Sequence, residues 1–283
     1  MKKIIYAIPL LSLALFFASC EPAQDDESPS ATVSSEQLSQ ELRIEAQAEG
    51  NNNLVVYTTP TRYIYVYDAE NGELIGNGTR VNVQVLPPAR EVKYYVQTTG
   101  FDMKVAKSAP KSIKVTTFTD LDPILTTLFG DGKGNFTSHK YTWNSEAPDG
   151  LWGNGGYMES TGPAWWVVKA TDIEEQAKKA NLPKDGLKGW FTLGLGANNV
   201  KTSRGETGSV AATSEHLKGG WDIGTLTFKG TMPLMGIQPN YNNQRQYVFQ
   251  ILKATDQELR LCAGEPNAGD WGTAWFWNFK RVE

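Results

Sequence analysis

The chain has 283 residues, with 27 lysines and arginines against 31 aspartates and glutamates, and a net charge of -4. That balance excludes the strongly basic surface with which proteins hold phosphate backbones, so nucleic acid is not an expected partner. The 27 glycines and 14 prolines, set among aromatic and β-branched runs, favour short strands and tight turns and predict an all-β chain of two domains.

The first residues have the pattern of a secretory signal. Two lysines precede an apolar run over residues 4–17, which is shorter than the roughly 20 residues needed to cross a hydrocarbon core. The run ends in Phe17-Ala18-Ser19-Cys20, which resembles a bacterial lipobox. The resemblance implies a lipoprotein signal peptide over residues 1–19 and an acylated Cys20 at the start of the mature chain. An ordinary cleaved signal with an incidental cysteine is the alternative.

The second cysteine, Cys262, has no partner in the chain if Cys20 is acylated. It lies in the strand-like run Leu259-Arg260-Leu261-Cys262-Ala263. We therefore predict a buried, inert thiol.

Residues 20–41 are predicted to be an acidic, flexible tether because they have little apolar content before Leu38. Glu21, Asp25, Asp26 and Glu27 follow Cys20 closely. This cluster resembles the export signal that sends lipoproteins of the Bacteroidota to the exterior face of the outer membrane. The alternative is a merely solvated linker on a lipoprotein that faces the periplasm.

Residues 42–118 are predicted to form a small spacer domain. Alternating apolar residues begin at Leu42 and recur in short runs near 54–57, 63–67, 81–85, 92–97 and 113–115, with turn residues such as Asn71-Gly72 between them. This pattern is typical of a β-sandwich and is similar to immunoglobulin-like or PKD-like modules. The domain has no tryptophan, and no functional constellation is evident in it.

Residues 119–283 are predicted to form a jelly-roll β-sandwich that contains all nine tryptophans of the chain. Its candidate strands are separated by long loops rich in glycine and asparagine. One helix is predicted from a capping box at Thr171 and Glu174 to about Asn181, before Pro183. In the last strand, Trp275, Trp277 and Phe279 alternate with Phe276 and Asn278, so the first set is predicted to face the core.

Several aromatic residues are candidates for binding a sugar. Trp165 and Trp166 are adjacent, so in a strand they point to opposite faces and one must pack against a covering segment or a ligand. Two Gly-rich segments, predicted to be loops that their glycines make bendable, hold further rings near amides and carboxylates: residues 152–157 with Trp152 and Tyr157, and residues 269–272 with Trp271. An indole can stack on the C–H face of a pyranose while polar groups bind its hydroxyls. The predicted ligand-binding residues are Trp152, Asn154, Tyr157, Glu159, Trp165, Trp166, Asp270 and Trp271. The alternative is that these rings plug the ends of the sandwich.

Two blocks of this second domain carry a family resemblance. The first is residues 140–168, with Trp143, the Gly-rich segment 152–157 and Pro163-x-Trp165-Trp166; the second runs from Tyr247 to the terminal Trp275–Phe279 segment. They resemble the C-terminal domain of outer-membrane lipoproteins of the Bacteroidota that belong to starch-utilization-type systems. The resemblance implies a laminarinase-like, non-catalytic jelly-roll, a role in binding surface glycans, and a TonB-dependent transporter complex as a partner.

A catalytic role is not predicted, and no cofactor is expected. The Glu-x-Asp-x-x-Glu run of laminarinase-type glycosidases is absent, and His139 and His216 lack the spacing of zinc ligands. A glycoside hydrolase built from carboxylates on separate strands remains the main alternative, with Glu146, Asp149, Glu159 and Asp270 as candidates. A structural or adhesive surface lipoprotein is the third interpretation.

Overall fold

A computed structural model describes residues 33–282. The predicted signal peptide, Cys20 and the tether as far as residue 32 lie outside the described residues. The described part contains three α-helices: α1 (Ser35–Glu41), α2 (Pro123–Phe129) and α3 (Ile173–Lys179). Its strands up to residue 115 are β1 (Leu42–Ala46), β2 (Asn53–Thr58), β3 (Ile64–Asp68), β4 (Leu74–Gly78), β5 (Arg80–Gln84), β6 (Arg90–Thr99), β7 (Val105–Lys107) and β8 (Lys111–Val115).

The strands after residue 115 build a second set of sheets. They are β9 (His139–Trp143), β10 (Trp152–Gly156), β11 (Trp166–Val168), β12 (Trp190–Leu193), β13 (Val200–Lys201), β14 (Thr207–Thr213), β15 (Thr225–Lys229), β16 (Ile237–Gln238), β17 (Gln244–Arg245), β18 (Val248–Ala254), β19 (Glu258–Gly264) and β20 (Thr273–Val282). All strand pairs are antiparallel. The prediction of an all-β chain of sandwiched sheets is confirmed.

The N-terminal unit packs two sheets around one core. β1, β2 and β5 form a three-stranded sheet, and β3, β4, β6, β7 and β8 form a five-stranded one. The period-2 alternation seen in the sequence is the cause, because every second residue of β5, Val81 and Val83, is buried between the sheets. Leu54, Val66 and Val96 are buried in the same core.

The predicted tether is wrong for residues 35–41, which form helix α1. The Ser34 hydroxyl caps the helix by accepting a hydrogen bond from the Gln37 backbone N–H, at 3.1 Å. Leu38 is fully buried in the N-terminal core, and Glu41 forms an ion pair with Arg62 at 2.5 Å. A buried leucine and an ion pair therefore hold this short polar segment on the domain.

The C-terminal unit is a strongly curled sheet. Its strand order is β11-β10-β20-β19-β18-β15-β14-β13, and β9 pairs with both β20 and β12. The Phe191–Thr202 bridge joins β12 to the segment just after β13, so the sheet nearly closes on itself. From β12 onward, strands that are neighbours in the main sheet also follow one another along the chain, apart from the β16–β17 hairpin. A jelly roll, in contrast, is built from Greek-key connections.

Strand β20 runs through the centre of this unit. The prediction for its first face is confirmed, because Trp275, Trp277 and Phe279 are buried in the core. Its other face is also covered: Phe276 packs in a second cluster with Trp221 and Cys262. The predicted buried environment of the Cys262 thiol is therefore confirmed.

Helix α3 begins at Ile173 rather than at the predicted capping box. The Thr171 hydroxyl donates to the Asp172 carboxylate, and the Glu174 carboxylate accepts from the Leu187 backbone N–H at 2.9 Å instead of folding back on the helix. The carboxylate that the motif assigns to the cap thus holds the following loop. No helix within residues 33–282 is both long and apolar enough to span a bilayer.

Candidate functional site

The Gly-rich segment 152–156 is not the predicted loop but strand β10, which pairs with β20 on one side and with β11 on the other. Its glycines are needed because other groups lie directly on the strand. A Cβ on Gly153 would come within 2.0 Å of the Trp166 carbonyl oxygen, and one on Gly155 within 3.1 Å of the Phe276 ring. These glycines allow close approach of neighbouring segments rather than chain bending.

Because Trp152 lies in this strand, its ring points into the core and is only 2% exposed. It packs against Trp275 with ring centroids 5.1 Å apart. The prediction that Trp152 offers an exposed surface for stacking is therefore wrong.

Three tryptophans are exposed, and all three are among the predicted site residues. Trp165 is 53% exposed, Trp166 39% and Trp271 62%. The rings of Trp165 and Trp271 both lie over Gly156: a Cβ on this glycine would meet Trp271 at 2.7 Å and Trp165 at 3.5 Å. We call Trp165, Trp166 and Trp271 the indole platform.

Backbone hydrogen bonds hold the two loops of the platform at the end of β10. The N–H groups of Ala164 and Trp165 donate to the Asn154 carbonyl at 2.9 and 3.0 Å. On the other side, the Trp271 N–H donates to the Tyr157 carbonyl at 3.0 Å, and the Tyr157 N–H donates to the Gly272 carbonyl at 2.7 Å. Residues far apart in the sequence are thereby fixed beside one another.

The backbone of Trp271 is in the left-handed region, with φ of 62°. Only glycine adopts this conformation without cost, and a bulky side chain there is a strained outlier. Such strain is characteristic of functional positions that the surrounding structure holds in place. Here the conformation presents a large ring to solvent.

Trp166 connects the platform to the core. It lies on β11, at the edge of the sheet, opposite Asn154 in the β10–β11 register. Its ring meets those of Trp152 and Trp275 edge-on, at centroid distances of 5.5 and 5.9 Å. One part of the indole is therefore packed, and the rest faces solvent.

The predicted carboxylates of the site are ion-paired. The Lys218 ammonium binds Glu159 at 2.7 Å and Asp270 at 3.4 Å, so the two carboxylates meet at one cation. The hydrogen bond that Lys218 donates to Glu159 is the main cause of the raised pKa of Lys218. Lys218 gives no sequence signal of its own, since it stands as an ordinary surface lysine in a loop.

Tyr157 belongs to the opposite face of the sheet rather than to the platform. Its ring lies over Gly264 and meets Trp221 edge-on at 5.5 Å. Burial raises the pKa of Tyr157 to about 12. Trp221 in turn donates its indole N–H to the Ser160 carbonyl at 2.8 Å, so it seals this outer cluster.

One polar residue behind the platform was missed. Glu265 accepts hydrogen bonds from the Trp275 indole at 3.0 Å and from the Asn240 amide at 2.7 Å. It directly follows β19, in a turn with Pro266 and Asn267, so the same reasoning that selected Asp270 could have found it.

The remaining candidate carboxylates lie with other partners. Asp149 binds the Arg260 guanidinium at 3.0 Å and accepts from the Asn278 amide at 3.2 Å, while Glu146 is an exposed partner of Lys280 at 3.9 Å. Within the part of the chain that the structure describes, no three His, Cys, Asp or Glu side chains group as metal ligands would.

Comparison with known proteins identifies no family for this chain. No protein-family model and no curated protein matches the chain. Several solved structures match. Among them is one from work on the "Structural basis for the promiscuous specificity of the carbohydrate-binding modules from the beta-sandwich super family", which covers 85% of this chain and 90% of its own, at 12% identity and a TM-score of 0.22. A TM-score this low carries no argument. What the fold and the site define is a β-sandwich protein with a platform of exposed indoles.

Proposed function

We propose that the protein binds oligosaccharide or polysaccharide through the indole platform, as a non-catalytic glycan-binding protein. The observation that carries the proposal is the difference in solvent exposure among the nine tryptophans. Five are buried, Trp190 is half-buried, and the three that remain exposed gather at one end of β10. Exposing three indoles together is unfavourable unless they meet a partner.

A sugar fits this surface better than a purely apolar partner does. Trp165 and Trp271 offer flat rings on which the C–H face of a pyranose can stack. Polar groups lie beside them: Glu159 and Asp270, on either side of Lys218. Amides and carboxylates accept hydrogen bonds from the hydroxyls at the rim of a sugar ring.

The cellular setting of the proposal comes from residues 1–32. The lipobox-like Cys20 and the acidic residues after it support a lipoprotein anchored in the outer membrane and facing the cell exterior. In this setting the protein captures glycan for an uptake system and works beside a TonB-dependent transporter. The N-terminal sandwich then serves as a spacer between the anchor and the platform.

A binding role also suits the carboxylates better than catalysis does. A glycosidase needs two carboxylic groups facing the scissile bond, one of which donates a proton. Glu159 and Asp270 are close, but the Lys218 ammonium lies between them. The other two candidates, Glu146 and Asp149, have partners of their own.

Affinity gel electrophoresis tests the proposal and separates it from the hydrolase alternative. We expect the mature chain to be retarded by at least one of soluble starch, laminarin, xyloglucan, arabinoxylan and galactomannan, with no new reducing ends released from that polysaccharide. Release of reducing ends would instead establish an enzyme. Normal migration in the whole panel would overturn glycan binding.

A further inference from the structure

Two buried polar atoms beside Trp166 have no hydrogen-bond partner, and we refer to the site that they form with the Trp166 ring as the crevice. The Trp152 indole Nε1 and the Asn154 Oδ1 atom are both inaccessible to solvent and form no hydrogen bond. They lie two residues apart on β10, and both residues adjoin Trp166: Asn154 is its cross-strand partner, and Trp152 contacts its ring. The pair is therefore a local feature of the platform.

The other buried tryptophans show that an unpartnered indole N–H is unusual in this protein. The indole N–H groups of Trp143, Trp221, Trp275 and Trp277 each donate a hydrogen bond, at 2.8 to 3.0 Å. Trp152 is the exception among the five buried indoles. Burying a donor or acceptor without a partner is costly, and such a group calls for an explanation such as a ligand.

We infer that this crevice is a subsite for one hydroxyl group of a neutral sugar, with Trp166 as its cover. A hydroxyl oxygen can accept from the Trp152 N–H while its hydrogen is donated to Asn154 Oδ1. A carboxylate or sulfate has only acceptor atoms and leaves Asn154 unpaired. An ammonium has only donors and leaves Trp152 unpaired.

The charges around the crevice favour the same class of ligand. Glu265 lies behind Trp275, whose ring contacts Trp166. The Lys218 ammonium beyond the platform already binds Glu159 and Asp270. These three carboxylates share one ammonium and leave a net negative charge beside the platform, so uronic-acid and sulfated polymers are disfavoured.

The position of Trp166 explains how the hydroxyl enters. Trp166 touches Trp152 and Trp275 through ring edges and lies on a strand with a neighbour on one side only. Rotation of a partly exposed side chain is fast compared with binding. When the ring turns outward, the Trp152 N–H becomes accessible, and the ring can stack on the sugar it admits.

This inference rests on the proposed glycan binding, and its test uses a neutral polysaccharide that retards the wild-type chain. Trp152→Phe removes the N–H and keeps an aromatic ring; Asn154→Ala removes the acceptor. We expect each to weaken binding about five- to tenfold, and the double variant to lose little more than either single one, because both groups bind one hydroxyl. The matched control is Trp143→Phe, a buried tryptophan of the same sheet whose N–H binds the Asp185 carbonyl.

The outcomes separate the subsite from the platform. Wild-type affinity in folded Trp152→Phe, together with lost binding in Trp271→Ala, would overturn the crevice and leave the proposed function standing. If the losses of binding free energy in the two single variants add up in the double variant, the two groups do not share one hydroxyl. Retardation by polygalacturonate or alginate stronger than by any neutral polymer would refute the preference for neutral sugars. Failure of the wild type to bind any polysaccharide would refute the proposed function itself.

Discussion

Replacement of Trp271 separates the roles of its ring and its backbone. The residue holds a left-handed φ of 62°, which glycine adopts freely and alanine does not. Trp271→Gly removes the ring and the strain together, whereas Trp271→Ala removes the ring and keeps the strain. Both variants should lose glycan binding, but their stabilities should differ.

The expected sizes follow from exposure and conformation. Trp271 is 62% exposed, so a little over a third of its surface is covered. For a side chain of about 250 Å² this is about 90 Å², or about 2 kcal/mol of burial at ~25 cal/mol per Å². Relief of the left-handed strain returns about 1 kcal/mol in the glycine variant. We therefore expect Trp271→Ala to lose about 2 kcal/mol and Trp271→Gly about 1 kcal/mol of folding free energy.

Urea titration followed by circular dichroism measures the two free energies, and affinity gels run in parallel measure binding. The Gly–Ala pair is its own control, because both variants lack the same ring. An alanine variant as stable as the glycine variant, or more stable, would refute the strained conformation. Retained glycan binding in both would remove Trp271 from the platform.

Four further predictions concern residues outside the indole platform. Trp152→Ala should cost about 3–5 kcal/mol in urea unfolding, because it empties a packed core site, whereas a loss below about 1 kcal/mol would contradict its burial. Arg204→Ala should lower the free energy of unfolding by about 3–5 kcal/mol, because it leaves the fully buried Asp185 carboxylate without its cation. Wild-type stability of this variant would refute the prediction. Burial disfavours the Glu206 carboxylate, but hydrogen bonds from Arg245 and Thr231 and the Arg204 charge outweigh burial and hold the pKa of Glu206 at about 2. The stabilisation that this carboxylate gives should be full above pH 4.5 and fade towards pH 2. In acid titrations, stability should therefore fall more steeply in the wild type than in Glu206→Gln. Burial raises the pKa of the Cys262 thiol, which should resist a thiol reagent until the chain unfolds; rapid labelling of native protein would contradict this.

The N-terminal sandwich could be predicted closely from the sequence because its signal is local. Alternating apolar residues mark the strands that line its core, such as Val81 and Val83 in β5. Strands β4 and β7 were missed, since Leu74, Ile75 and Val105 are exposed and give no alternation. Helix α1 was missed because one buried leucine is too weak a signal.

The site was predicted only in part because burial depends on segments far away in the chain. The structure exposes Trp165, Trp166 and Trp271, as the platform requires. In the sequence, the glycines around Trp152 indicate a bendable loop, but in the structure they allow close packing against a strand. Phe276 is sealed by the loop that carries Trp221. Nothing near Trp152 or Phe276 in the sequence reveals that a distant segment buries its ring.

Isothermal titration calorimetry of the mature chain, with a polysaccharide that retards it in gels, tests the central claim most directly. The double variant Trp165→Ala/Trp271→Ala removes the two rings that lie over Gly156, and Phe101→Ala removes a still more exposed ring on the N-terminal sandwich. The indole platform predicts that the double variant gives no binding heat while remaining folded, and that Phe101→Ala binds as the wild type does. Unchanged affinity in the folded double variant would contradict it.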